Sequence, residues 1–558
     1  MSSNPSPTAA DIPLRAVVEG EVNINEKTNA RDATPARSGH DANIHGPRAY
    51  FIACSLAVMV FLVVLEIPIV PAALVAVSND IGGFNELSWI ISSYLLGRVG
   101  VMAIFAKLSD IVGRKLIFTI SIVISVIFSG LCGASQTLTQ LIVFRAFQGV
   151  GGGGGAYSLS TVILTELVPP AKLAKATAQL SLLTTLANTL GPIIGGAISR
   201  DTTWRWIFLI NAPIAAAALV AAVTAIPKGS SNHKKSPQRS RPGDLPSLSP
   251  SLARLDLGGV ILLLIATVSL VAGFEEAGSR FPWRSPYVIT LLVISGLCWI
   301  ALIIWERHLT LSDDTREPLL PWRFFTNRAM LGILMVFFLL GGPLVVTLYQ
   351  IPQVFGLVYG LSDLDAGIRV VPFTALWSVG LIVAPTLAGR LKVPPIYIIL
   401  VGCVIQVIAF SLLGTLPIST EIPPQIYAYE VIAGLGCGLV FPLLFVMTPF
   451  VNEGRDRAVA MAAEGQFQVM GSAVLLSVAT AIFNGYTRSR LESLLGTMGS
   501  DSFLNLGNVL PSLSTRLQQE VRLTLAEGYN RQSLVLAVAA GAQVPFTFLL
   551  WGRKQITV

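Results

Sequence analysis

The sequence predicts an all-α, polytopic membrane protein with 14 transmembrane helices in a 6+2+6 arrangement. Three observations support this fold class. Of the 558 residues, 53% are hydrophobic and only 12% are charged, whereas about a quarter of the residues are charged in soluble proteins. Apolar runs of about 20 residues, the length that crosses about 30 Å of hydrocarbon, recur along the chain. The net charge of +7 comes from short cationic clusters between these runs, which indicates membrane topology and no nucleic-acid partner.

The apolar runs form two groups of six, separated by two extra runs. Residues 1–48 are polar and contain no apolar core, so we expect a disordered cytosolic tail without a signal peptide. The further predicted domains are a six-helix bundle at 49–226, a cytosolic loop at 227–255, two extra helices at 256–304, a cytosolic loop at 305–327, a six-helix bundle at 328–552 with a long outer loop at 485–530, and a cytosolic tail at 553–558. The predicted spans are 49–77, 88–106, 116–134, 138–165, 175–198, 203–226, 256–274, 286–304, 328–350, 365–389, 395–415, 425–449, 457–484 and 531–552.

The distribution of Lys and Arg predicts the orientation. With the amino terminus in the cytosol, the inner loops hold 19 of these residues and the short outer connections hold five. Cytosolic loops retain Lys and Arg preferentially. The even number of spans then places both termini in the cytosol.

A short charged turn separates the second and third predicted spans. The residues Leu108, Asp110, Gly113, Arg114 and Lys115 match the pattern Gly-x-Leu-x-Asp-x-x-Gly-Arg-Lys/Arg, with Ala106 at its first position. This turn resembles the signature loop of the major facilitator superfamily. The resemblance implies the major facilitator fold, and it implies that Asp110, Gly113, Arg114 and Lys115 form a conformational latch.

The first predicted span carries an acidic residue, Glu66, close to Pro68 and Pro71. A carboxylate within lipid is costly and is a functional candidate by default, although an ion pair that only holds helices together is the alternative. The stretch resembles the span-1 motif of fourteen-span drug:proton antiporters, Leu-Asp-x-Thr-x-Val-x-x-Ala-Leu-Pro, with Glu66 at the Asp position. Glu66 is therefore a predicted proton-coupling residue.

Two arginines in neighbouring spans, Arg98 and Arg145, are candidate partners of Glu66 and predicted proton-coupling residues. At 1.5 Å per residue, Glu66 and Arg98 lie about 15 to 16 Å from the predicted outer ends of their spans, so we expect them to pair. Arg145 lies about 10 Å from the outer end of span 4 and is the competing partner. The stretch from Leu141 to Gly151 resembles the superfamily pattern Leu-x-x-x-Arg-x-x-Gln-Gly-x-Gly, which implies a role of Arg145 in proton coupling.

Glycine-rich segments follow in spans 4 and 5. The run Gly151 to Gly155 lacks the Gly-Lys-Ser/Thr ending of a phosphate loop, so we interpret it as a surface for close helix packing. The segment Gly191, Pro192, Gly195 and Gly196 resembles the second half of the antiporter signature Gly-x-x-x-Gly-x-x-x-Gly-Pro-x-x-Gly-Gly. Polar residues within the runs that could line a cavity are Thr184, Thr185, Asn188, Gln148, Asn211, Glu464 and Gln468. For Glu430, near the outer edge of span 12, solvation at the interface competes with a functional role.

The resemblance covers residues 49 to 485 and implies a fungal multidrug or toxin efflux protein. We predict a proton-coupled secondary transporter of the antiporter type, not an enzyme, that exports lipophilic or cationic small molecules by alternating access. The alternatives are a vacuolar transporter of basic amino acids and a non-transporting membrane receptor or scaffold. The predicted partners are a small-molecule substrate, protons and the lipid bilayer, for a monomer in the plasma membrane in preference to the vacuolar membrane. No cofactor or metal is expected, because the five cysteines lie in apolar runs without paired spacing.

Overall fold

The computed structural model describes residues 47–83, 86–167, 170–225, 256–277, 281–312, 316, 318–452, 457–495, 513–552 and 555. The predicted tail up to residue 46 and the predicted loop 227–255 lie outside these residues. Apart from one isolated bridge between Ala277 and Phe281, the regular elements of the described residues are all helical. The all-α prediction is therefore confirmed for this part of the chain.

The first eleven α-helices cover the predicted amino-terminal bundle and the two extra spans. They are α1 (Pro47–Ile69), α2 (Leu74–Ile81), α3 (Leu87–Val112), α4 (Arg114–Ala134), α5 (Leu138–Gln148), α6 (Tyr157–Leu167), α7 (Pro170–Asp201), α8 (Trp206–Leu209), α9 (Asn211–Ala225), α10 (Leu257–Glu276) and α11 (Pro286–Leu311). A 3₁₀ turn at Pro71–Ala73 separates α1 from α2, and a π-helix at Gly149–Ala156 joins α5 to α6.

Eight further α-helices cover the rest of the chain. They are α12 (Trp322–Thr326), α13 (Arg328–Gln353), α14 (Asp363–Ile368), α15 (Val371–Arg390), α16 (Pro395–Gly414), α17 (Gln425–Val451), α18 (Arg457–Leu495) and α19 (Thr515–Phe548), with a π-helix at Val354–Val358 after α13. Among the described residues, ten helical segments are long and apolar enough to cross a membrane. The count of fourteen spans and the 6+2+6 arrangement stay predictions.

The predicted outer loop 485–530 is helical over much of its length. Helix α18 continues to Leu495 and α19 begins at Thr515. Ion pairs one helical turn apart stabilise these polar extensions, for example Arg516 with Glu520 at 3.4 Å. The prediction of a loop was wrong here because a search for apolar runs finds the membrane-crossing part of a helix and not its polar extension.

The glycine run forms a surface for close helix packing, as predicted. A Cβ atom on Gly151 would lie 2.6 Å from the backbone nitrogen of Ser125 in α4, and one on Gly155 would collide with the hydroxyl of Ser121. The π-helix therefore packs backbone to backbone against its neighbours, which only residues without a side chain permit.

The two bundles repeat one such contact. A Cβ atom on Gly149 would collide with the carbonyl oxygen of Tyr94, and one on Gly434 would collide with that of Phe373. In both cases a glycine lets one helix contact the backbone of the helix that precedes it by two spans. The repeat is clearer in these contacts than in the sequence, where only the pair Gly389-Arg390 echoes the charged turn.

The two bundles meet at the end of α7. A Cβ atom on Gly196 would lie 2.5 Å from the carbonyl oxygen of Asp363, at the start of α14, and one on Gly191 would lie 2.5 Å from Cγ of Pro68 in α1. Gly195 likewise contacts Ile69, and Pro192 contacts Gly367 of α14. The residues of the predicted antiporter-type motif thus allow α7 to contact both α1 and the opposite bundle.

Candidate functional site

Glu66 lies inside the amino-terminal bundle, and amide groups bind its carboxylate. Its side chain is 3% exposed. Oε1 accepts a hydrogen bond of 2.9 Å from Nε2 of Gln148 and one of 3.3 Å from Nδ2 of Asn211. Three elements, α1, α5 and α9, therefore meet at this carboxylate. Pro68 follows Glu66 in α1 and cannot donate a backbone hydrogen bond within the helix. Helix α1 then ends, and the 3₁₀ turn at Pro71–Ala73 follows.

Arg145 is connected to Glu66 through Gln148. Nη1 of Arg145 donates to Oε1 of Gln148 at 2.8 Å, and Nε donates to the carbonyl oxygen of Ile90 at 3.2 Å. The guanidinium lies 4.2 Å from the centre of the Tyr94 ring, a cation–π contact. The Gln148 amide thus receives a hydrogen bond from a buried cation and donates one to a buried anion. Such an arrangement compensates both charges without direct contact between them.

The predicted ion pair between Glu66 and Arg98 is wrong for this structure. No such pair is present among the described side chains; the guanidinium of Arg98 instead lies 4.6 Å from the centre of the Tyr157 ring. A Cβ atom on Gly153 would lie 2.8 Å from Cδ of Arg98, so the absence of a side chain at Gly153 makes room for the Arg98 side chain. Equal depth in the membrane did not imply contact, because depth says nothing about the direction in which a side chain leaves its helix.

Arg98 lies on the wall of a cavity between the two bundles. The cavity has a volume of about 130 Å³. Of the predicted cavity residues, Thr184, Asn188 and Gln468 line it. Gln148 and Asn211 bind Glu66 instead, Glu464 accepts a hydrogen bond from the Thr448 hydroxyl, and Thr185 is not among the described lining residues. The other walls are mainly apolar and aromatic, with Leu344, Leu348, Trp377 and Phe441 from the carboxy-terminal bundle.

The charged turn joins α3 to α4 at Gly113. This residue has φ +117°, a backbone conformation that favours glycine. Arg114 donates to the hydroxyl of Ser109, and Lys115 donates to the carbonyl oxygen of Val223 at the end of α9. The side chain of Asp110 lies outside what the structure describes. The role of the four residues as a latch stays a prediction.

Glu275 is a buried carboxylate that the sequence analysis missed. It lies near the end of α10 and is 2% exposed. It accepts hydrogen bonds from the hydroxyls of Ser88 at 2.5 Å and Ser92 at 3.1 Å. Ser88 and Ser92 lie one turn apart on α3, and this i, i+4 pair of hydroxyls was the signal that the sequence offered. The contact joins α10 to α3.

Glu430 is buried, so interfacial solvation does not describe it. It is 1% exposed, and neither carboxylate oxygen has a hydrogen-bond partner. It lines a second cavity inside the carboxy-terminal bundle together with Gln350, Tyr359 and Asn530. Gly149 and Gly434 make the same close helix contact in the two bundles. Arg145 lies four residues before Gly149, and Glu430 lies four residues before Gly434. The two halves thus carry opposite charges at equivalent positions.

Comparison with known proteins identifies the family. Residues 52–476 match the family model of the Major Facilitator Superfamily. The chain is 36% identical over 516 residues to the MFS-type transporter FPY5 of Fusarium mangiferae, covering 91% of this chain and 84% of the relative. It is 28% identical over 466 residues to multidrug resistance protein 3 of Bacillus subtilis (strain 168), covering 82% of this chain and 85% of the relative.

A solved structure supports the fold. A bacterial homologue of the human lysosomal transporter Spinster, in an inward-facing and occupied conformation, superposes with a TM-score of 0.62 at 15% sequence identity. The alignment covers 91% of this chain and all of the solved chain. The family match and the transporter relatives described above show that the protein is a transporter and not an enzyme. The chain belongs to the Major Facilitator Superfamily and is an integral, multi-pass membrane transporter.

Proposed function

We propose that this transporter is a proton-coupled exporter of lipophilic small molecules such as drugs, toxins or secondary metabolites. The observation that carries the proposal is the buried Glu66, whose carboxylate shares the amide of Gln148 with the Arg145 guanidinium. A buried ionisable group in a hydrogen-bond network suits reversible proton binding during alternating access. The names of several relatives support export, among them the efflux pump mlcE of Penicillium citrinum, which is 26% identical over 494 residues.

In this mechanism Glu66 binds and releases a proton as the two bundles rock around the cavity between them. The charge of Arg145 reaches Glu66 through Gln148, so a change of protonation alters the hydrogen bonds that join α1, α5 and α9. The contacts of Gly191, Gly195 and Gly196 then break and re-form as α7 moves against α1 and α14. Asp110, Gly113, Arg114 and Lys115 stabilise one of the two conformations.

The test uses the purified protein in liposomes with an imposed pH gradient. Three dansyl probes share one fluorophore and differ in the head group: N-dansyl-6-aminohexanoate, its primary amide and dansylcadaverine. We expect gradient-dependent movement of at least one probe, and loss of that movement in Glu66→Gln. Glu421→Gln, the same change at an exposed residue, is the control and should move probes like the wild type.

The other outcomes decide between the alternatives. Movement of labelled lysine or arginine in place of the probes would favour the vacuolar basic amino-acid transporter. If the folded protein moves neither, the proposed export is wrong and a receptor or scaffold is favoured. Transport in Glu66→Gln at the wild-type rate would exclude Glu66 from proton coupling.

We place the protein in the plasma membrane, as a monomer with both termini in the cytosol. A fluorescent fusion that labels the vacuolar membrane would contradict the location, and a dimer mass in detergent would contradict the assembly.

A further inference from the structure

Arg98 is the charged residue among the described side chains that line the cavity between the bundles. It is 8% exposed. The other polar groups on the wall are neutral: the side chains of Thr184, Asn188, Gln468 and Ser472, the Tyr157 hydroxyl and the Trp377 indole N–H. The cavity therefore combines apolar and aromatic walls with one buried positive charge.

This guanidinium has no anionic partner among the described residues. No ion pair involves Arg98 in that part of the chain, and its Nε has no hydrogen-bond partner. Among the described carboxylates, Glu66 accepts hydrogen bonds from Gln148 and Asn211, and Glu464 accepts one from Thr448. The cation–π contact with Tyr157 covers one face of the guanidinium. The N–H groups lie in the plane of the guanidinium, so this contact leaves them uncovered. A buried cation without an anion is costly, and an anion in the cavity would remove that cost.

The chemistry of the wall indicates what that anion is. A guanidinium presents parallel N–H donors that match the two oxygens of a carboxylate. Trp377, Phe441 and Tyr157 offer flat apolar surfaces for the rest of the molecule. A cationic substrate would instead meet a like charge that it cannot displace.

We propose that the cavity selects lipophilic organic acids, molecules with an apolar body and one carboxylate or comparably acidic group that binds Arg98. This assignment rests on the proposed function in one respect, since it names the substrate class of the same cavity. It gives Arg98 a substrate-binding role in place of the predicted role in proton coupling.

The primary test measures binding, which requires no proton gradient. The full-length protein in nanodiscs is titrated with the three dansyl probes, and energy transfer from tryptophan to dansyl reports occupancy, because Trp377 lines the cavity. We expect the carboxylate probe to bind about tenfold or more tightly than its amide, because its bond to the guanidinium is charge-assisted. The cationic dansylcadaverine should bind most weakly. Equal binding of the three probes, or a preference for the cation, would overturn the proposal.

Variants of Arg98 separate substrate binding from a structural role. Arg98→Gln should remove the difference between the carboxylate and amide probes, and Arg98→Lys should retain part of it. Arg390→Gln, the same change at an exposed residue on the helix that carries Trp377, should leave it intact. If Arg98→Gln weakens all three probes equally, Arg98 is structural and the proposal fails. Should Arg98→Gln not fold, the order of the probes in the wild type and in Arg98→Lys still decides.

The two proposals can fail separately. Arg98-dependent binding of the carboxylate probe without gradient-driven movement would contradict proton-coupled export and leave the substrate class in place. Gradient-driven movement of the amide or dansylcadaverine, with no preference for the carboxylate, would support export and contradict the substrate class.

Discussion

Replacing Gln148 by leucine tests whether Glu66 and Arg145 act together through one amide. The substitution removes the donor to Glu66 at 2.9 Å and the acceptor of Arg145 at 2.8 Å. Leucine has a similar volume, so we expect little change in packing at this fully buried position. The loss then reports the hydrogen bonds and not a cavity.

The magnitude follows from the charge of both partners. A hydrogen bond to a charged group contributes about 1.5 to 3 kcal/mol. The two bonds belong to one network, so their contributions do not simply add, and one bond is the lower limit. Since 1.4 kcal/mol corresponds to a factor of about ten, we expect transport to fall by about 10- to 150-fold.

The assay is gradient-driven movement of the dansyl probe that the wild type transports best. Gln136→Leu changes an exposed glutamine near the start of α5 and should transport like the wild type. Gln148→Glu keeps an acceptor for Arg145 but removes the donor to Glu66, and we expect it to stay impaired. A folded Gln148→Leu variant whose rate lies within threefold of the wild type would refute the idea of a shared amide.

Three further substitutions test the packing and the polar contacts. Gly149→Ala should destabilise the protein by about 1 to 3 kcal/mol or more, because the added Cβ would collide with a helix backbone. The control is Gly130→Ala, where a Cβ meets open space and should not destabilise the protein. Equal thermal stability of the two variants would contradict the packing. Glu275→Leu leaves two buried serine hydroxyls of α3 without their acceptor and should lower stability by about 1 to 3 kcal/mol in a thermal unfolding assay. Removing those hydroxyls as well should restore part of the lost stability. No recovery would argue against the contact. Asp80→Asn breaks the 2.6 Å ion pair with Arg205, which is partly exposed. We therefore expect a loss of stability below about 1 kcal/mol that becomes smaller at high salt. A larger loss that does not depend on salt would show that solvent does not screen the pair.

The class of the protein and its family can be predicted from the amino-acid sequence alone. Hydropathy located the helical segments, because each membrane-crossing helix must satisfy its own backbone and expose apolar side chains. The motifs around Asp110, Arg145 and Gly191 pointed to the major facilitator superfamily, and the family comparison confirmed it. The buried acid in span 1 was also found from sequence, since a carboxylate within an apolar run stands out.

Which polar groups meet depends on how the helices pack, and the sequence does not show this. The spacing placed Glu66 and Arg98 at one depth, but the direction of each side chain around its helix comes from packing between helices. Glycines at 149 and 153 let α3 approach the π-helix closely, and Arg98 passes over Tyr157 into the cavity while Gln148 binds Glu66. The structure likewise revealed the contacts of Glu275 and the burial of Glu430, because burial and hydrogen bonding depend on residues far apart in the chain. Linear distance along a helix thus predicts depth, and the helix packing decides the partner.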